Sequence, residues 1–199
     1  MRLVIHPKHP QPRKIQQVAD ALDHGGLVAY PTDSVYGLGC DLLNKKGLEK
    51  LYRMKSMPRT QLLSFICSDL SNIAQYAEVN DMAYRVMKRL VPGPYTFILP
   101  ATKAIPRTLR MNRKTVGIRV PDSPVALALV AALGRPIVST SASVDGEFLT
   151  DPSDIEAAFP GLEIIIDSDT YGVQPSTVID LSTSVPTVIR EGAGPIDFL

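Results

Sequence analysis

Apolar residues recur at helical spacing at Ile15, Val18, Ala19 and Leu22, and Gly25-Gly26 follow as a stop, so residues 12–24 read as an amphipathic helix. Leu27–Tyr30 then reads as a buried strand and residues 36–42 as a second extended segment. Asn44 fits the N-cap of a helix carrying Leu48, Leu51 and Met54, which ends near Lys55 and Arg59. The continuous apolar run 62–67 has the length of a strand covered on both faces. Two helices follow, at 69–77 and after Asn80, and Pro92-Gly93-Pro94 ends the second. Residues 95–99 and 115–120 read as strands, with 101–114 irregular or a short helix. On the second strand, alternation puts Thr115, Gly117 and Arg119 on one side and Val116, Ile118 and Val120 on the other. A strongly apolar helix at 124–133 closes on Gly134, and 136–138 is a short strand running into a loop of hydroxyls. A helix at 151–159 and strands at 162–167, 177–181 and 187–190 complete the pattern. This alternation predicts one α/β domain over 1–199, with ligand groups gathered at strand ends.

Two stretches depart from ordinary loop chemistry. After the strand at 27–30 comes Pro31-Thr32-Asp33-Ser34, then Gly37 and Gly39: side chains able to bond backbone or ligand, followed by permissive glycines. Ser139-Thr140-Ser141-Ala142-Ser143 places four hydroxyls in five residues, where glycine, asparagine or aspartate is more usual. Either stretch alone also suits a plain polar corner.

The formal charge of +1 conceals an uneven distribution. No acidic residue lies between Asp81 and Asp122, whereas Arg85, Lys88, Arg89, Lys103, Arg107, Arg110, Arg113, Lys114 and Arg119 do, a stretch suited to phosphate or an anionic polymer. Arg107, Arg110, Arg113 and Lys114 are the candidate RNA contacts. The polar set Thr32, Ser34, Lys55, Arg59, Thr115, Arg119, Ser139, Ser141, Ser143, Ser176, Thr177 and Arg190 joins hydroxyls to cations with little acid or histidine. Such a set binds anions, each charge-assisted contact contributing about 1.5–3 kcal/mol. No glycine-rich phosphate motif occurs, so a nucleotide is held by side chains. The histidines, His6, His9 and His24, lie far in sequence from the serine-rich runs, and Cys40 and Cys67 sit in apolar contexts without a metal-binding partner, so no metal site is expected. Met1–Arg13 lacks the apolar stretch of a secretory signal and no run is long enough for a membrane span. A cytoplasmic protein is expected.

Six ordered motifs resemble the YrdC/YciO family: the run Tyr30 to Gly39, Lys55 just after a helix, Pro92 to Thr96, Gly117 to Pro121, Ser139 to Ser143, and Pro175 to Asp180. The resemblance implies a twisted mixed sheet flanked by helices with a basic concave surface. It also implies synthesis of threonylcarbamoyl-AMP from threonine, bicarbonate and ATP, with Mg²⁺ accompanying ATP, for tRNA modification, and hence contact with tRNA and other modification proteins. By motif, Thr32, Arg119, Ser139 and Ser176 would hold L-threonine, and Lys55, Thr115, Ser141 and Arg190 would hold ATP. Family synthases usually carry Lys-x-Arg-Pro, then Asn-Pro-Leu, and Ser-Ala-Asn. Here these are Lys55-Ser56-Met57-Pro58, Gln61-Leu62-Leu63 and Ser141-Ala142-Ser143, so Arg53 or Arg59, with Ser143, are the candidate replacements on the nucleotide side. These departures, with the end at Phe198-Leu199, resemble the YciO branch, without an added C-terminal domain. The alternative function is a non-catalytic protein that binds double-stranded RNA, tRNA or the ribosome.

Overall fold

The computed structural model describes residues 1–61, 63–106, 109, 114–168 and 172–197. Arg107, Arg110, Arg113 and Leu62, named above, lie outside the described residues. The strands are β1 (Arg2–Val4), β2 (Val28–Tyr30), β3 (Gly37–Asp41), β4 (Ser64–Ile66), β5 (Tyr95–Pro100), β6 (Thr115–Arg119), β7 (Ile137–Ser141), β8 (Ser143–Val144), β9 (Glu147–Phe148), β10 (Ile164–Asp167), β11 (Thr177–Asp180) and β12 (Thr187–Arg190). The helices are α1 (Pro12–Asp23), α2 (Lys45–Met54), α3 (Leu70–Tyr76), α4 (Asp81–Leu90), α5 (Pro124–Leu133) and α6 (Pro152–Ala158). Asn44 and Asn80 cap their helices as the sequence suggested, and Asp69, Ser123 and Asp151 do the same, each accepting a first-turn backbone N–H. Gly134 closes α5 at φ 72°, a left-handed conformation that costs glycine nothing sterically.

Ten strands form one mixed sheet in the order β1-β10-β2-β3-β7-β4-β6-β5-β11-β12, and β8–β9 make a separate hairpin. The α/β class with a mixed sheet flanked by helices is therefore the observed architecture. One reading changes. The hydroxyl run is not a loop: β7 continues through Ser139, Thr140 and Ser141, pairing Ser139 with Gly39 on one side and Ser64 on the other. Hydrogen bonding to two neighbours outweighs the turn preference of the serines. The short β1 and the β8–β9 hairpin were not foreseen.

Strand alternation sorts the core into two layers. Ala29, Leu38, Phe65, Phe97, Ile118, Val138 and Ile165 pack with α2, α3, α4 and α6 on one face. Val28, Tyr30, Ile66, Ile137, Ile164 and Ile166 pack with α1 and α5 on the other. The second cover is partial. Along β7 the residues facing that side run from Ile137, under α5, to Ser139 and Ser141 beyond it. On β4 the corresponding change is from Ile66 to Ser64. The open part of this face is lined by glycines and hydroxyls. Among the described residues no helix is long and apolar enough to cross a membrane.

Close packing on β3 gives a direct test. A Cβ at Gly39 would lie 2.5 Å from Ile137 Cγ2 and 2.9 Å from the Tyr30 ring. Gly39→Ala is expected to cost about 1–3 kcal/mol by overpacking, read as a lower urea midpoint with an unchanged m-value.

Candidate functional site

A cavity of about 410 Å³ occupies the uncovered part of the sheet face. Thr32 and Gly37 border it on one side, Ser139, Ser141, Ser64, Gly117 and Arg119 form its floor, and Thr96, Ser176 and Arg190 close the far side. Its floor joins strand-end residues, Ser64, Arg119 and Ser141, to Ser139 and Gly117 from strand interiors, where the helix cover stops. The hairpin β8–β9 contributes Ser143, Gly146 and Phe148 above the floor.

Arg119 is the pivot. Its side chain is buried and ion-paired with Asp33, and its Nη2 also donates to Thr32 Oγ1 at 3.4 Å. Asp33 turns its second oxygen to the backbone N–H of Asp122 at 2.9 Å, tying the turn after β2 to the end of β6. Thr32 is itself fixed: its hydroxyl donates to the Val35 carbonyl at 2.7 Å and accepts from Ser34 N. Arg119 Nε is buried without a partner. An unsatisfied buried donor costs about 1–3 kcal/mol, more on a charged group, and marks a place where a ligand acceptor is favoured.

Across the cavity, Arg190 donates to the Ser176 carbonyl at 2.8 Å, and the Ser176 and Thr96 hydroxyls are 2.8 Å apart. Thr177 braces this corner, accepting from Gly192 N and Gly194 N and donating to the Gly194 carbonyl. Burial, then the positive field of Arg119, lower the Arg190 pKa. Two cations and no described carboxylate line the wall, so the cavity attracts anions.

Seven candidates meet here: Thr32, Arg119, Ser139, Ser141, Ser143, Ser176 and Arg190. Lys55 stands at the rim, where its ammonium donates to the carbonyl of Ser143 and approaches its hydroxyl at 3.3 Å. Burial lowers its pKa. Thr115 shares the sheet face but lies beyond the cavity wall. Arg59 is turned away, 3.7 Å from Glu49, and borders a separate surface hollow with Met57. Lys114 is exposed and outside the cavity. Sequence reasoning missed Ser64 and Thr96 as wall residues, although both sit at polar positions within otherwise apolar strands. It also missed the pairing of Asp33 with Arg119, which no local pattern reveals.

Removing the Asp33 carboxylate strands the Arg119 charge inside the protein. Asp33→Ala is expected to lose about 3–5 kcal/mol of unfolding free energy, and Asp33→Ala/Arg119→Met to recover most of it in the same denaturant titration.

A family model described as Telomere recombination, Sua5_yciO_yrdC, matches residues 20–192. The chain is 42% identical to Escherichia coli YciO over 196 residues, covering 96% of this chain and 95% of that protein. The crystal structure of that protein superposes with a TM-score of 0.92, covering 98% and 97% of the two chains. The threonylcarbamoyl-AMP synthase of Hydrogenovibrio crunogenus is 38% identical over 159 residues, 76% of this chain and 84% of the synthase. The Pyrococcus abyssi Sua5 structure complexed with L-threonine superposes with a TM-score of 0.91 at 30% identity, covering all of this chain and 59% of that one. With a family model spanning residues 20–192 and relatives of 38–42% identity over most of its length, the chain belongs to the Sua5/YciO/YrdC family.

Proposed function

We propose that the protein is a threonylcarbamoyl-AMP synthase-like nucleotidyltransferase acting in tRNA modification. The observation that carries this reading is the unpartnered Nε of Arg119, a fixed cation in a wall of hydroxyls. Such a wall suits the carboxylate of an amino acid. The L-threonine complex of Pyrococcus abyssi Sua5, on the same fold, supports threonine as that amino acid. Thr32, Arg119, Ser139 and Ser176 then take threonine, while Ser141, Ser143, Lys55 and Arg190 take the phosphates of ATP.

In this reading the threonine amine adds to bicarbonate with loss of water, giving a carbamate. A carbamate oxygen then forms a bond to the α-phosphorus of ATP, the bond from that phosphorus to the bridging oxygen breaks, and pyrophosphate leaves with the electron pair. The protein's part is positioning and charge neutralisation, since the cavity holds no described histidine or carboxylate to shuttle protons. Mg²⁺ enters with ATP as part of the substrate. Among the described residues no cluster of carboxylates, histidines or cysteines is suited to hold it independently.

Lys55 must exchange its bonds to Ser143 for a phosphate, and neither Met57 nor Arg59 adds a cation to the cavity, so slow turnover is expected. Thr115 and Arg59 take no part in this assignment. Pyrophosphate release should require ATP, L-threonine and bicarbonate together and fall at least tenfold in Lys55→Ala, the loss of one charge-assisted contact. Release equal to the Lys55→Ala background in the unmodified protein would end the synthase reading.

The apolar packing of Met57 and the pairing of Arg59 with Glu49 favour a second reading, RNA binding without catalysis. Arg85, Lys88, Arg89 and Lys114 are exposed. This reading expects RNA affinity that falls steeply with salt; filter binding at two salt concentrations that gave equal affinity would remove it.

A further inference from the structure

Tyr30 closes β2 and is fully buried, yet its hydroxyl does not end among apolar atoms. The ring lies across β3 exactly where that strand has no side chains. A Cβ at Gly37 would stand 2.8 Å from Tyr30 Cζ and 3.0 Å from Ser139 Oγ, and one at Gly39 would stand 2.9 Å from the ring. The two glycines thus open a passage through which a residue of β2 reaches β7, two strands away. There Tyr30 OH donates to Ser139 Oγ at 2.6 Å.

The direction of this bond has a chemical consequence. A serine hydroxyl carries one proton and accepts through its lone pairs. Because Tyr30 supplies the proton in the shared bond, the Ser139 proton is left to point elsewhere. Ser139 lines the same cavity as Arg119, whose Nε has no partner. Burial raises the Tyr30 pKa, with the Ser139 hydrogen bond and the charge of Arg119 acting the other way, so the phenol remains a donor at neutral pH.

The geometry points to Tyr30 as a positioning residue that fixes Ser139 as a hydrogen-bond donor into the cavity, toward an anionic oxygen of the bound amino acid. The identity of that amino acid as threonine rests on the function proposed above; the donor relay does not. Tyr30 is not among the cavity-lining residues, so its hydroxyl acts through Ser139.

Two measurements decide this. The first needs no ligand: proton NMR of the free protein should show a slowly exchanging Tyr30 hydroxyl resonance, assigned by its loss in Tyr30→Phe or by tyrosine labelling, and absent in Ser139→Ala. A Tyr30 hydroxyl that exchanges as fast as an exposed tyrosine, or is unchanged in Ser139→Ala, overturns the relay. The second is calorimetric titration of L-threonine and of ATP into the protein, Tyr30→Phe, Ser139→Ala and the double variant. Each single variant should weaken threonine about tenfold with ATP affinity within about twofold, and the double variant should lose no more than Ser139→Ala. Unchanged threonine affinity in Tyr30→Phe, or multiplicative losses in the double variant, overturns the inference. If the unmodified protein binds no threonine while the protected resonance is present, the proposed substrate fails and the relay stands. Should Tyr30→Phe not fold, the labelled resonance in the unmodified protein and in Ser139→Ala decides the relay.

Discussion

The guanidinium of Arg119, carried on a central strand and held out of water, constrains everything around it. A charge in that position is tolerated only with a counter-charge and oriented hydrogen bonds, and Asp33 supplies both. Because Asp33 also accepts the Asp122 N–H, the turn after β2 and the exit of β6 are locked together. Ser123 extends the lock by donating to the Pro31 carbonyl while capping α5. The fold and the site therefore share their bonds: the same contacts that start α5 hold Thr32 and Arg119 in the cavity wall.

The cavity exists because one face of the sheet is only half covered. Under α1 and α5, β4 and β7 present Ile66 and Ile137; past the edge of the helices the same two strands present Ser64, Ser139 and Ser141. Exposed β-branched chains there would have no partner, whereas hydroxyls remain solvated until a ligand replaces the water. The opposite face is covered by α2, α3, α4 and α6, so the strands under the cavity are rigid. A pre-formed site on a rigid floor suits a reaction that depends on placing reactants.

The two ends of the site differ in how completely they are built. Around Arg119 the hydroxyls are hydrogen-bonded and buried, and each has a fixed place. On the other side Lys55 is committed to Ser143, half-buried beside the Phe159 ring, and Arg59 belongs to a different surface. Family membership accounts for the shared framework; on the second side Gln61 and Ser143 line the cavity while Met57 and Arg59 border a separate hollow.

Much of the architecture was legible in the chain. The period of Ile15, Val18, Ala19 and Leu22, the capping residues Asn44 and Asn80, and the stop at Gly134 act within a few residues, so local chemistry fixed those helices. Alternation on β6 likewise put Arg119 opposite Val116 and Ile118 before any fold was known. What remained hidden depended on neighbours distant in sequence. Ser139 and Ser141 read as a loop because nothing local shows that β3 and β4 flank them. Gly37 and Gly39 read as permissive backbone, since only the Tyr30 ring and Ile137, brought against β3 by the sheet order, show what their missing side chains admit. Which cations would face inward was equally undecided: Arg119 and Arg190 point into one cavity while Arg59 turns to Glu49, a choice made by strand order and helix cover. Sequence settled most of the helices and longer strands and the kinds of groups available; the tertiary structure decided the full extent of β7 and which groups meet.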